Sequence, residues 1–168
     1  MLVAVSDTHR QSGHGLSGPV LDAVRSADRV VHAGDFTRMA VVDAFIEESA
    51  RLEAVHGNAD EAAVKERLPT ARTFEYGGVR VAVTHRRDGG TTGLALFGRS
   101  QDADLVIFGH SHRPAVIETD DVVLLNPGSY ANPRGNRPAF AELHPTEGGL
   151  TGHLRDVDGT SFESVTVP

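Results

Sequence analysis

Five short apolar runs rich in branched residues, at positions 2–6, 29–33, 52–56, 79–84 and 104–108, each give way to a polar residue able to hold a metal ion. Runs of this length and composition read as buried strands rather than helices. Between them, residues 19–27, 39–50 and 93–100 carry apolar positions at helical spacing. After Pro114 the pattern changes, and 115–117, 122–125, 139–144, 149–157 and 162–167 read as strands separated by turn pairs such as Asp120-Asp121 and Asp158-Gly159. The expected fold class is α/β (α+β), a two-layer β-sandwich flanked by helices. Its first sheet is expected to be mainly parallel and to continue into a more antiparallel carboxyl-terminal sheet. The 168 residues contain no repeat and no linker-like stretch, so a single domain over 1–168 is expected.

Asp7 and His9 follow the first run, Asp35 the second, Asn58 the third, His85 the fourth, and His110 and His112 the fifth. In open α/β sheets the loops beyond the carboxyl ends of strands form the ligand crevice, so residues distant in sequence converge there. Each residue taken singly has an ordinary explanation: Gly34-Asp35 and Gly57-Asn58 are common turn pairs, and a histidine at a strand end is often a hydrogen-bonded polar side chain. Together, two carboxylates, four imidazoles and one amide suit Mn, Fe, Zn, Co or Ni better than Ca. The chain has no cysteine, so thiolate ligation is excluded. Seven donors exceed the three or four that one catalytic ion takes from protein, which points to two ions sharing a carboxylate. Such pairs, roughly 3.5–4 Å apart, stabilise both the attacking and the leaving oxygen of a phosphoryl displacement. Phosphate-ester hydrolysis is the reaction class this donor set suits.

The ordered motifs Asp7-Thr8-His9, Gly34-Asp35, Gly57-Asn58, Thr84-His85 and Gly109-His110-Ser111-His112, followed by Asn126-Pro127-Gly128-Ser129, resemble those of the calcineurin-like metallophosphoesterases. The likeness is nearest to the small single-domain bacterial and archaeal phosphodiesterases and covers roughly residues 2–134. It implies that Asp7, His9 and His112 hold one divalent ion, that Asn58, His85 and His110 hold the other, and that Asp35 bridges them. Asp35, Asn58 and His85 thereby become catalytic. Manganese is the preferred metal, with Ni, Zn, Fe or Co as alternatives, and a hydroxide bridging the ions is the implied nucleophile. Many relatives carry a histidine after the metal-binding asparagine as proton donor. Here that position is Ala59, which favours a phosphodiester with a good leaving group. Where the family usually has glycines, this chain has Arg10 and Arg86, which either grip the substrate phosphate or narrow the mouth. Arg134, in a Pro-Arg-Gly loop, is a third candidate substrate contact. Two other readings of the fold stay open: a weakly active or inactive scaffold, the role a related retromer subunit suggests, and a phosphomonoesterase.

The remaining residues set limits. A net charge of -7, with Lys65 the sole lysine, argues against a broad nucleic-acid-binding face. The expected partner is a small phosphate ester or nucleotide, and self-association stays open. Asp7 interrupts the amino-terminal apolar run before a signal peptide forms, and no run is long enough for a membrane span, so a cytoplasmic location is expected. His32 and His56 read as hydrogen-bonded strand residues, and His14, His144 and His153 as structural or exposed. Asp60 reads as the cap of a following helix. Asn126 is expected in a turn, with a role in orienting a ligating histidine as the alternative.

Overall fold

The computed structural model describes residues 1–168. Two sheets face each other. The first contains β1 (Leu2–Val5), β2 (Arg29–His32), β3 (Leu52–Ala54), β9 (Ala139–Thr146), β10 (Gly149–Asp156) and β11 (Ser161–Val167), in the spatial order β11-β10-β9-β1-β2-β3. The second contains β4 (Ala71–Tyr76), β5 (Val79–Thr84), β6 (Leu105–Ile107), β7 (Ala115–Glu118) and β8 (Val123–Asn126), in the order β4-β5-β6-β8-β7. Helices α1 (Gly18–Ser26), α2 (Met39–Glu48), α3 (Ala62–Arg67) and α4 (Gly90–Ser100) connect the strands.

Strand alternation builds the layers. Leu2 and Ala4 of β1 face the second sheet and join Val31, Val81, Val83, Leu105, Ile107 and Leu125 in the core between the sheets. Val3 and Val5, on the opposite face, pack beneath α1 and α2 with Val24, Phe36 and Phe45. Ala82, Val106 and Leu124 do the same beneath α4, against Leu94. Pro19 sits in the first turn of α1, where its fixed φ suits helix entry and its missing N–H costs no hydrogen bond. Leu105 is fully buried, so Leu105→Ala would cost about 2–5 kcal/mol. No helix is long and apolar enough to cross a membrane.

The sheet partition differs from the expected one. Rather than a parallel sheet followed by an antiparallel one, both sheets are mixed: the first has a parallel half and an antiparallel half, and the second a parallel centre with antiparallel edges. Strands β1, β2 and β3 are parallel and β9 joins β1 antiparallel, while β5, β6 and β8 are parallel between antiparallel β4 and β7. The carboxyl-terminal strands therefore complete the amino-terminal sheet. One strand adds to those expected from the sequence, and the helix expected after Asp60 is short. β4 is a half-buried edge strand with little apolar content, and α3 is a six-residue helix without a side-chain cap. The fourth helix begins at Gly90 rather than 93, because a left-handed Gly89 at φ +88° starts it through a glycine- and threonine-rich turn.

Candidate metal centre

The seven candidate ligands come from both sheets. Loops after β1, β2 and β3 carry Asp7, His9, Asp35 and Asn58, and loops after β5 and β6 carry His85, His110 and His112. Backbone hydrogen bonds join the loops within each sheet: Asp7 N–H to Gly34 O at 3.0 Å, His9 N–H to Asp35 O at 3.0 Å, and Gly109 N–H to His85 O at 3.0 Å. Between the sheets, the His110 N–H donates to the Asp7 carboxylate at 3.0 Å. Glycine is needed where chain and carboxylate crowd together. A Cβ at Gly57 would stand 2.1 Å from Asp35 Oδ1, and one at Gly109 would stand 2.8 Å from Asp7 Oδ2.

All seven side chains converge. The nearest ligand atoms of Asp7, His9 and His112 lie within 4.8 Å of one another, as do those of Asp7, Asp35 and His85. Asp35 Oδ2 is 3.3 Å from Nε2 of both His9 and His85, and Asn58 Oδ1 is 3.1 Å from His85 Nε2 and 2.9 Å from His110 Nδ1. His9 Nε2 is buried without a hydrogen-bond partner. Such an orphaned nitrogen beside two buried carboxylates and an amide oxygen fits a divalent ion of the borderline class.

The charges are strongly coupled. Burial pushes the Asp35 carboxyl up, but the adjacent His85 and His9 imidazoles and the Ala59 N–H outweigh it and hold Asp35 well below the usual carboxylate range. Burial raises Asp7, with the His85 charge only partly opposing it. His85 is raised: burial works against its charged form, and Asp35 overcomes that. Burial, then His85 and Arg86, lower His110.

Backbone strain accompanies this convergence. Asp7, His9, Asp35, His110 and His112 all have positive φ, from +46° to +73°, a region that non-glycine residues seldom occupy. Residues outside the seven hold that geometry. His85 Nδ1 meets the Ala33 carbonyl at 2.8 Å and His112 Nδ1 meets the Asn132 carbonyl, which leaves both Nε2 atoms facing the centre. The Ser129 hydroxyl donates to Asp7 O at 2.8 Å and accepts from the Asn132 N–H at 2.9 Å. Asn126 Nδ2 donates to Gly109 O at 3.0 Å and to Ser111 Oγ at 3.1 Å, so it fixes the histidine loop through its backbone and spacer rather than through an imidazole.

Asp60 does not cap α3, whose N-cap position is Glu61. Its carboxylate instead accepts the backbone N–H groups of Asp35 and Thr37, from the loop after β2, and of Gly57, three residues back on its own loop. His32 is fully buried in β2 and stacked on Phe36 at 3.5 Å. Gly34 N–H donates to its Nδ1, so the ring proton sits on Nε2 and is donated to Thr8 Oγ1, between Asp7 and His9. Burial holds this imidazole neutral, well below its ordinary value. His56 lies just past β3, half-buried in a polar cavity of about 270 Å³ that also reaches Asn58 and His85. Ser129, Asn132 and the Thr8–His32 pair escaped sequence reasoning; only the Asn126-to-Ser129 turn hinted at any of them.

The three arginines fare differently. Arg86 is exposed, pairs with Asp88 at 3.3 Å, and lines cavities on both sides of the centre. Arg10 is exposed and folds back along Gly15, its Nε donating to Ser12 O at 3.4 Å. Arg134 is exposed at φ +50°.

Comparison with known proteins sharpens the picture. Residues 1–148 match the family model described as the calcineurin-like phosphoesterase superfamily domain. A probable metallophosphoesterase of Methanothermobacter thermautotrophicus is 38% identical over 148 residues, covering 85% of each chain. A phosphodiesterase of Methanocaldococcus jannaschii is 27% identical, over 74% of this chain and 80% of the relative. Among solved structures, wild-type Vps29 from Entamoeba histolytica, crystallised with zinc, superposes with a TM-score of 0.79 over 98% of this chain and 97% of its own, at 23% identity.

Proposed function

The chain belongs to the calcineurin-like phosphoesterase superfamily, and we propose that it hydrolyses a phosphodiester at a centre of two divalent metal ions, manganese first among them. Asp7, His9 and His112 hold one ion, and Asn58, His85 and His110 the other. The observation that carries this reading is the position of Asp35: its Oδ2 lies 3.3 Å from a histidine of each group, which supports a bridging role. The ions supply Lewis acidity toward a phosphoryl oxygen and lower the pKa of bound water toward neutrality.

The chain's own residues set the conditions for that chemistry. Asp35 is held as a carboxylate by His85, His9 and the Ala59 N–H, so it stays available at neutral pH. The Nδ1 contacts of His85 and His112 with backbone carbonyls fix which ring nitrogen faces the site. Ala59 has no proton to give from its side chain, and its N–H is committed to Asp35 Oδ1 at 2.8 Å. An ester whose leaving group departs without acid assistance suits this arrangement, which favours an activated diester over an alkyl monoester. The name of the Methanocaldococcus relative points the same way. Arg86, beside His85 and exposed at the mouth, is placed to pair with a substrate phosphate. In this reading the chain is a soluble cytoplasmic enzyme acting on a small phosphate ester or nucleotide.

Protein stripped of metal and then given Mn²⁺, Ni²⁺ or Zn²⁺ should gain hydrolysis of bis(p-nitrophenyl) phosphate at a higher rate than of p-nitrophenyl phosphate. No gain with any ion would sink the enzymatic reading, and a monoester rate above the diester rate would sink the diester preference.

A further inference from the structure

A cavity of about 610 Å³ opens beside His110, within the roughly 300–1,000 Å³ typical of small-molecule sites. Its lining changes character along its length. Gly109, His110 and Ser111 belong to the loop of the metal centre, whereas Leu94, Phe108 and Ile117 are apolar. Leu94 is a buried residue of α4, and Phe108 and Ile117 are half-buried against its cluster. Three arginines, Arg86, Arg87 and Arg113, face a single carboxylate, Glu163, around this cavity, although the whole chain carries a net charge of -7. The polar cavity on the other side of the centre, lined by Lys65, Arg86 and Arg87, contains no apolar side chain. The apolar surface beside the centre is therefore one-sided.

That asymmetry discriminates among phosphate esters. Inorganic phosphate, or a diester with small substituents, would leave the half-buried Phe108 and Ile117 against water. An ester with a larger apolar substituent would cover them while its anionic phosphate stays near the arginines. We propose that this cavity is the subsite for one substituent of the diester, an apolar organic group of about nucleoside size seated on Leu94, Phe108 and Ile117. The proposal rests on the phosphodiesterase reading for the placement of the phosphate.

Calorimetric titration of the full chain in Mn²⁺ with dimethyl, diphenyl and dibutyl phosphate tests it. At least one of the two larger esters should bind about tenfold or more tightly than the dimethyl ester, because a covered ring or chain removes substantial apolar area from water. A preference for diphenyl phosphate would identify a flat, base-like substituent, and a preference for dibutyl phosphate a flexible acyl-like one. Thr91→Trp, at an exposed cavity-lining position where folding is not at risk, should erase the advantage by filling the space, and Ile117→Ser should reduce it. Equal affinity for all three esters, no binding of any, or an advantage untouched by Thr91→Trp overturns the subsite. Selective binding without hydrolysis under any metal would retain the subsite and remove the catalytic reading. Hydrolysis of p-nitrophenyl methyl phosphate and p-nitrophenyl phenyl phosphate at equal kcat/KM would do the reverse.

Discussion

The backbone N–H of Asp35 donates to Asp60 Oδ2 at 3.1 Å, so one buried aspartate, itself outside the candidate ligand set, positions another that lies at its centre. Gly57 N–H shares the same oxygen at 2.7 Å and Thr37 N–H takes Oδ1 at 2.6 Å. Hydrogen bonds to charged groups contribute about 1.5–3 kcal/mol each, and Asp60→Ala strands three donors, so urea denaturation should register a loss of about 4–5 kcal/mol, the low end of their sum. Mn²⁺ affinity by calorimetry should fall about 10–100-fold, the usual effect of removing a ligand's support. Unchanged affinity would reduce Asp60 to a purely structural residue.

Asp35→Ala removes the only carboxylate within 3.3 Å of both His9 and His85. Saturating the native chain with Mn²⁺ at about 100 times its Kd should stabilise it by about 2.7 kcal/mol, and the variant should show little of this gain in thermal melting. Elemental analysis should find both ions depleted. Two ions retained per chain would remove Asp35 from the bridging role.

Thr37 offers a test in the opposite direction. It is β-branched at φ +89°, and its hydroxyl is buried without a partner. Relief of this strain exceeds the entropy that glycine adds to the unfolded chain, so Thr37→Gly should stabilise by about 1 kcal/mol and raise Tm by about 2–4 °C. A lower Tm would mean that the hydroxyl has a role the strain argument misses.

Glu53, on the edge strand β3, ties the two sheets together at their rims. Its carboxylate meets Arg72 of β4 at 2.7 Å, and Arg29 and Arg51 at 2.9 Å each. Burial pushes its pKa up, but Arg72 and then Arg51 outweigh this and hold the carboxyl below its usual range. A depressed folded value means that the stabilisation is complete above the unfolded pKa of about 4.3 and fades as pH falls through the folded value. Glu53→Gln should cost about 2 kcal/mol at pH 7, less than a fully buried pair because Arg51 and Arg72 are partly exposed, and should flatten the acid limb of the stability profile. Identical acid limbs in both proteins would exclude this carboxylate as a source of the pH dependence.

The centre was readable in the sequence because a short buried strand ends abruptly, and the first polar residues beyond it stand out against Val3, Val31 or Ile107. What stayed hidden was nonlocal or masked by composition. The sequence of β4, Ala-Arg-Thr-Phe-Glu-Tyr, lies half-exposed on an edge and so carries no apolar run. Asp60 precedes a helix and has the chemistry of a cap, but the N–H groups of Asp35 and Thr37, brought up by the loop after β2, and that of Gly57 on its own loop claim it first. Which strand joins which sheet depends on pairings such as Leu2 with Leu143, which no local pattern encodes.

That last pairing bears on the order in which the molecule is made. Every candidate ligand lies between Asp7 and His112, yet β1, which presents the first of them, is flanked on one side by β9, starting at Ala139. A chain leaving the ribosome has therefore released all seven candidate donors while β1, which leads into Asp7, still has a bare edge. Nascent chains halted between those points would hold the full set of donors on an unfinished scaffold.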